Sequence, residues 1–451
     1  MVNQFTINLG FYMLMPYLAQ HLSGTLGLAG WTVGLVLGVR NLSQQGMFLA
    51  GGALADRFGY KPLIVAGLAL RTVGFAVLGL VESVPALLAA SAATGLAGAL
   101  FNPAVRAYLA VDAGERRIEA FALFNVFYQA GILLGPLVGL ALTRLDFRLT
   151  CLTAAGVFAV LGAVQLRSLP HRRADGADRP EGACGPAGAC GPAGACGADG
   201  PNGLTGPAGA VRAAGADGVD GVDGCGGGPV SGRRRRLPGD RRFLLFAVAM
   251  TGSYVLSFQV YLALPLEVRR TGGETAAPAV AALFVISGLA TVLGQTRLTA
   301  WCRRHWPPGR SLTVGLLVMA SAYLPLAAAA VLAPPDHGPV SPVPALVPPL
   351  LAAALLTLGT MLAHPFEMDT IVTLARGRRV ATHYGLYNTV CGVGVTLGNL
   401  LVGAALGRAP AATWLGLTAL GLTAALGLTA LHRTGRLAPA PEPRRSGAPV
   451  G

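Results

Sequence analysis

Long apolar runs separated by short polar turns dominate this chain, and most runs approach the ~20 residues that a helix needs to cross a bilayer core. Twelve read as spans: about 4–22, 32–54, 62–81, 85–109, 119–143, 148–168, 242–266, 278–300, 311–333, 345–369, 381–407 and 411–432. The Pro-rich stretch 334–349 blurs the loop between the ninth and tenth. The first run lacks a small-residue cleavage site and reads as a span, not a removable leader. The pattern predicts an all-α membrane protein with twelve transmembrane helices. Residues 1–168 form a first six-helix bundle, 169–241 a linker, 242–432 a second bundle and 433–451 a polar tail.

An internal repeat supports the division. Residues 122–139 align without gaps onto 385–402, and Leu123, Asn125, Gly131, Leu134, Gly135 and Leu137 recur as Leu386, Asn388, Gly394, Leu397, Gly398 and Leu400. Tyr12 and Pro16 are echoed by Tyr261 and Pro265, and Asn102-Pro103 and His364-Pro365 close the fourth and tenth spans. Two pseudo-symmetric bundles in one orientation follow from such a duplication. In transporters built this way the substrate lies between the halves near the midplane.

Composition sharpens the class. The chain is 53% hydrophobic and 12% charged over 451 residues, against about 25% charged in soluble domains. A net charge of +14 could suggest nucleic acid, but its placement excludes that partner. With the amino terminus inside, the short inner segments and the tail hold sixteen Lys or Arg and the outer loops hold five. This positive-inside asymmetry places both termini in the cytoplasm. The bilayer is the expected partner, with no obligatory protein partner and a monomer as the expected state.

The linker carries glycine at every third residue from Gly182 to Gly224, broken only at Arg212. That is a collagen-like register, read in a doubly tethered loop as a flexible spacer. Arg233–Arg236, Arg241 and Arg242 are expected against the anionic inner leaflet. Of the seven cysteines, Cys184, Cys190, Cys196 and Cys225 lie in the linker at spacings that match no zinc site, so no metal is expected. No nucleophile–base cluster, His-x-x-x-His pair or phosphate-binding loop is present. The chain reads as a transporter without cofactor, not an enzyme.

Between the second and third spans stands Gly51-Gly-Ala-Leu-Ala-Asp56-Arg57-Phe-Gly59-Tyr-Lys61. Gly51 and Gly52 allow close backbone approach, Asp56 can accept bonds from a helix N-terminus, and Arg57 and Lys61 favour the cytoplasmic face. The stretch resembles the signature loop of the major facilitator superfamily, with Tyr60 where a basic residue is usual. Gly52, Asp56, Arg57, Gly59 and Lys61 are the expected gating loop, with Asp56 and Arg57 holding the halves together in one state. The fifth span carries Gly131, Gly135, Pro136 and Gly139, a flat face with a bend. It resembles the motif of the superfamily's antiporters, whereas the eleventh span has Asn399 in place of the proline.

Arg40, Gln44 and Arg71 lie inside the second and third spans. A membrane-depth arginine faces a cavity, a partner or neighbouring carbonyls. Asn125, Tyr128, Gln129, Gln259, Tyr261 and Asn388 add neutral polar groups, as cavity lining or as interhelix bonds. A mostly apolar cavity with a few such groups suits lipophilic, often cationic molecules. No acid falls securely at mid-membrane, so Glu267, Glu367 and Asp369 at span ends are the proton-coupling candidates. Ser91 stands where the superfamily's fourth-span arginine is usual.

Leu37-Gly38-x-Arg40-x-x-x-Gln44-Gln45-Gly46 and Ala55–Pro62, with Leu145–Leu149 and Asp240–Phe243, resemble the MdtH-like branch of drug:proton antiporters. The resemblance implies alternating-access export of lipophilic small molecules, driven by the proton gradient across a bacterial inner membrane. A facilitator or symporter for a sugar or amino acid is the alternative; it would call for more charged and hydrogen-bonding groups in the cavity.

Overall fold

A chain segment in hydrocarbon must satisfy its own backbone hydrogen bonds, and a single apolar run can do so only as a helix. The computed structural model describes residues 2–168, 241–272, 276–332 and 342–435. The spacer 169–240 and the tail beyond 435 lie outside the described residues. Every regular element described is helical.

The first half comprises α1 (Val2–Gln20), α2 (Gly30–Phe58), α3 (Tyr60–Leu80), α4 (Val84–Ala113), α5 (Arg117–Thr143) and α6 (Phe147–Ser168). The second comprises α7 (Arg241–Phe258), α8 (Ala263–Gly272), α9 (Ala276–His305), α10 (Pro308–Ser321), α11 (Leu324–Leu332), α12 (Pro342–Ala375), α13 (Val380–Leu406) and α14 (Pro410–Arg433). Among the described residues, nine stretches are long and apolar enough to cross a membrane, one of them holding both α4 and α5. Neither α1 nor α2 is among them, and α2 carries Arg40, Asn41, Gln44 and Gln45 along its course.

Two expected spans are each interrupted. The seventh is α7 and α8, with turns from Gln259 to Leu262, and the ninth is α10 and α11. Each break lies just before a proline, Pro265 and Pro325, whose ring opposes the carbonyl four residues earlier and which has no N–H to give. The breaks brace one another: the Tyr323 hydroxyl donates to Leu256 O at 2.6 Å, satisfying a carbonyl at the end of α7. Pro103, Pro136 and Pro365 instead sit inside continuous α4, α5 and α12. The fourth and tenth spans therefore do not close at Asn102-Pro103 and His364-Pro365, but run on to Ala113 and Ala375.

In the first half α1 packs on α5 and α6, and α4 on α2 and α3; in the second, α7 packs on α13 and α14, and α12 on α9 and α10. The halves meet chiefly along α2–α13 and α5–α9. Glycine makes the α2–α13 crossing possible, since a Cβ on Gly52 would strike Ala381 O and one on Gly385 would strike Phe48 O.

The repeat is visible in this packing. Gly131 and Gly135 of α5 face Asn8 and Tyr12 of α1, as Gly394 and Gly398 of α13 face Thr251 and Val255 of α7. Tyr12 therefore corresponds in packing to Val255. The expected pairing of Tyr12 with Tyr261 fails by six positions, because helix contact sets the register and not the spacing of tyrosine and proline.

Candidate functional site: a closed end and two polar centres

The expected gating loop is shorter than its sequence suggests. Gly59 alone separates α2 from α3, at φ 92°, a backbone conformation that favours glycine. Asp56 and Arg57 belong to the last turn of α2, and Lys61 to the first turn of α3. Asp56 reaches across to the other half. Its Oδ1 accepts from Ala381 N at 3.2 Å, and its Oδ2 from Thr382 N at 2.7 Å and the Thr382 hydroxyl at 2.5 Å. Thr382 opens α13, so the carboxylate caps a helix N-terminus of the opposite half and meets its dipole favourably. Arg57 departs from the expected role: it is exposed and lies over the Phe58 ring at 5.4 Å. Among the described residues, neither it nor Lys61 bonds to the second half.

Further polar contacts between the halves gather towards the same end. Arg117 Nε donates to Asp369 Oδ1 at 2.8 Å, and Arg303 of α9 pairs with Glu119 of α5. Arg106 Nη1 donates to Asn388 Oδ1 at 3.3 Å, and Asn125 Nδ2 to Gln295 Oε1 at 3.0 Å. Asp369, Asn388 and Asn125 are thereby spent on joining the halves. Towards the other end the charged pairs stay within a half: Arg148 with Glu82, and Arg270 with Glu267, each at 2.8 Å. Glu267 is thus tied to an arginine on its own helix.

Of the three candidate acids, Glu367 alone forms no ion pair with lysine or arginine among the described residues. It lies inside α12, 3% exposed, not at a span end. Its Oε1 accepts from the Tyr387 hydroxyl at 2.6 Å, and His364 Nδ1 lies 3.9 Å from Oε2. Tyr254 of α7 stands over Tyr387 edge to face, with ring centres 5.8 Å apart, and its hydroxyl is also within reach of Glu367. Arg106 of the first half is close enough to act on the carboxyl through its charge. Glu367 is thus buried, bonded by hydroxyls and near a cation of the opposite half.

The first half has a different centre. The Arg40 and Arg71 guanidinium carbons lie 4.5 and 5.1 Å from the centre of the Phe11 ring, and Arg71 also sits 5.4 Å from that of Phe158. Arg40 donates from Nη1 to Asn41 Oδ1 at 2.9 Å and from Nη2 to Gln44 Oε1 at 3.2 Å. Tyr12 and Tyr128 lie beside Arg40, and Tyr261, at the break between α7 and α8, faces them from the second half. Tyr261 is 49% exposed and packs against Phe258 and Phe284, with ring centres 5.8 and 5.6 Å away. Gln129 is partly buried.

Two expected groups hold structure instead. Gln259 is fully buried and donates to Val255 O at 2.9 Å and Asn399 Oδ1 at 3.1 Å, tying the broken span to α13. Asn399 thus takes a bond where the repeat has Pro136, whose carbonyl accepts from the Tyr17 hydroxyl at 2.6 Å. Gly131, Gly135 and Gly139 form the expected flat face, packed on α1 at Asn8, Tyr12 and Met13.

Sequence reasoning missed Thr382, Phe11, Tyr387, His364 and Arg106. Thr382 had a signal, as a hydroxyl at the start of a predicted span. The others carry none, since each looks like an ordinary helix residue until its neighbour on another span is known.

Comparison with known proteins agrees with this architecture. A solved human organic anion transporter, MFSD10, superimposes with a TM-score of 0.62 over 95% of this chain and 97% of that one, at 15% identity. An uncharacterized MFS-type transporter of Mycobacterium tuberculosis is 47% identical over 436 residues, 96% of this chain and 92% of the relative. The multidrug resistance protein MdtH of Shigella dysenteriae is 26% identical over 398 residues, 88% and 83% of the two chains. The profile of the Major Facilitator Superfamily matches residues 1–399. This chain, a multi-pass membrane transporter by fold and by descent, belongs to the Major Facilitator Superfamily.

Proposed function

We propose that the protein exports lipophilic small molecules from a bacterial cell by proton antiport, with Glu367 as the proton-carrying group. The observation that carries this reading is Glu367 itself, a buried carboxyl held by tyrosines of its own half and without an arginine partner among the described residues. Intramembrane carboxyls of this kind are costly unless they serve a relay.

Alternating access then supplies the coupling. In the present state one end is sealed by Asp56 on the α13 N-terminus and by the Arg117–Asp369 and Glu119–Arg303 pairs. Separating the halves there withdraws Arg106 from Asn388 and from the neighbourhood of Glu367. A carboxyl whose surroundings change with the open side can load a proton in one state and release it in the other. The reading takes the sealed end as cytoplasmic, with both termini on that side of the inner membrane. It takes the chain as a monomer that needs no cofactor beyond the proton gradient. The relationship to MdtH supports drug-like cargo, and the aromatic surroundings of Tyr12, Tyr128 and Tyr261 suit a flat apolar body.

Purified protein in liposomes with an imposed pH gradient provides the test. Gradient-driven movement of an aromatic dye that collapses when a protonophore is added is the expected outcome. Gradient-insensitive flux of sugars or amino acids, with no dye transport, would defeat the reading.

A further inference from the structure

We infer that the Arg40–Arg71 pair is the binding site for an anionic head group, so that the cargo is a lipophilic molecule carrying a carboxylate or sulfonate. The inference rests on the transporter reading and names the cargo's charge, opposite to the cationic molecules that the aromatic cavity alone suggests.

The argument begins with an uncompensated charge. Arg40 lies in mid-course along α2 and Arg71 along α3, both against one phenyl ring. Arg71 is 6% exposed and makes no hydrogen bond or ion pair among the described residues. Arg40 uses two of its donors on the neutral oxygens of Asn41 and Gln44, and its buried Nε has no partner. Neither guanidinium bonds to a backbone carbonyl, so neither acts as the structural clamp that is the usual alternative. Both remain charged at any physiological pH. Cation–π contact with Phe11 offsets only part of the cost of burying two like charges. One anion between them would answer both the unused donors and the repulsion.

The local geometry suits such a ligand. The fork of Arg40 is held from one side by Asn41 and Gln44, with Nε buried and unpartnered. Gly98 of α4 lets both side chains pack close to its backbone, since a Cβ there would stand 3.3 Å from Arg71 Nη2 and 3.0 Å from Gln44 Cδ. Paired guanidinium donors match the planar oxygens of a carboxylate better than a point charge does. Tyr12 and Tyr128 lie beside Arg40, and Tyr261 approaches them from the second half, where the rest of an amphiphile would rest. In the first half, a carboxylate that could recognise a cationic cargo at this depth is not found among the described residues.

The test compares two fluorescent probes that differ only at the head: dansyl-aminohexanoate and its uncharged amide. Equilibrium binding to the detergent-purified full chain at neutral pH should favour the acid by tenfold or more. In Arg40→Gln and Arg71→Gln that ratio should fall towards one. A tenfold ratio that persists in both variants overturns the assignment to this pair. Equal affinity for the two probes overturns the proposal, as does absence of saturable binding of the acid. If the amide is then still exported down the pH gradient, the exporter reading survives alone. A tenfold preference for the acid without any gradient-driven flux supports the anion site and removes the exporter reading.

Discussion

The two halves share a backbone plan but hold opposite chemistry at their centres. In the first half, Arg40 and Arg71 converge on Phe11, and the unsatisfied groups are donors. In the second, Glu367 is wrapped by Tyr387, Tyr254 and His364, and the buried group without an arginine partner among the described residues is a carboxyl. Duplication accounts for the shared glycine face that seats α5 on α1 and α13 on α7. It does not account for the charges, which stand at unrelated positions in the two halves. A gate needs symmetry, because two similar bodies must rock about one axis, whereas coupling needs asymmetry, because cargo and proton must be read by different groups.

The sharpest way to break this comparison is Glu367→Gln. It should reduce gradient-driven transport to background while leaving exchange of labelled for unlabelled cargo, without a gradient, in place. Unchanged driven transport would remove the proton role from the second half. Asp56→Ala comes next. Losing charge-assisted bonds to the α13 N-terminus should shift the balance between closed and open ends by about 2 kcal/mol, roughly thirtyfold in population. Labelling of a cysteine placed at the sealed end would read the shift, and an unaltered labelling rate would count against the seal.

Smaller effects test how alike the halves are. A Cβ at Gly135 would press on the α1 backbone at Tyr12 and Leu9, whereas one at the matching Gly398 would meet the movable Val255 side chain. Gly135→Ala should therefore cost ~1–3 kcal/mol in thermal stability by overpacking, and Gly398→Ala distinctly less. Equal losses would show the two faces to be equivalent. Smallest of all is Arg148→Ala, since the Glu82 pair is exposed and does not cross between halves. Surface pairs contribute about 0–1 kcal/mol, and transport should stay within twofold of the native rate.

Much of the architecture was legible because the relevant signals are local. Gly59, Asp56 and the Gly-Gly pair before them announce a tight passage between two helices, and Asp56 does accept from a helix N-terminus. The glycines at 131, 135 and 139 announce close contact. Arg57 misled because its charge says nothing about which way α2 turns it. The Tyr12–Tyr261 echo misled because Pro265 breaks its span, placing Tyr261 in a turn while Tyr12 stays in a helix. Glu367 was one of three candidate acids, with nothing to rank it above Glu267 or Asp369. Arg270 and Arg117 rank it, by occupying the other two.

From residue order alone came the helical class and the repeat of 122–139 in 385–402, because bilayer thickness and backbone hydrogen bonding leave an apolar run no choice but a helix, and a duplication is written in matching residues. Only the folded arrangement decided which carboxyl stands without an arginine and which arginines stand without a carboxyl. Those pairings depend on the rotation and depth of helices far apart in the chain, and no spacing along one helix encodes what its neighbour presents.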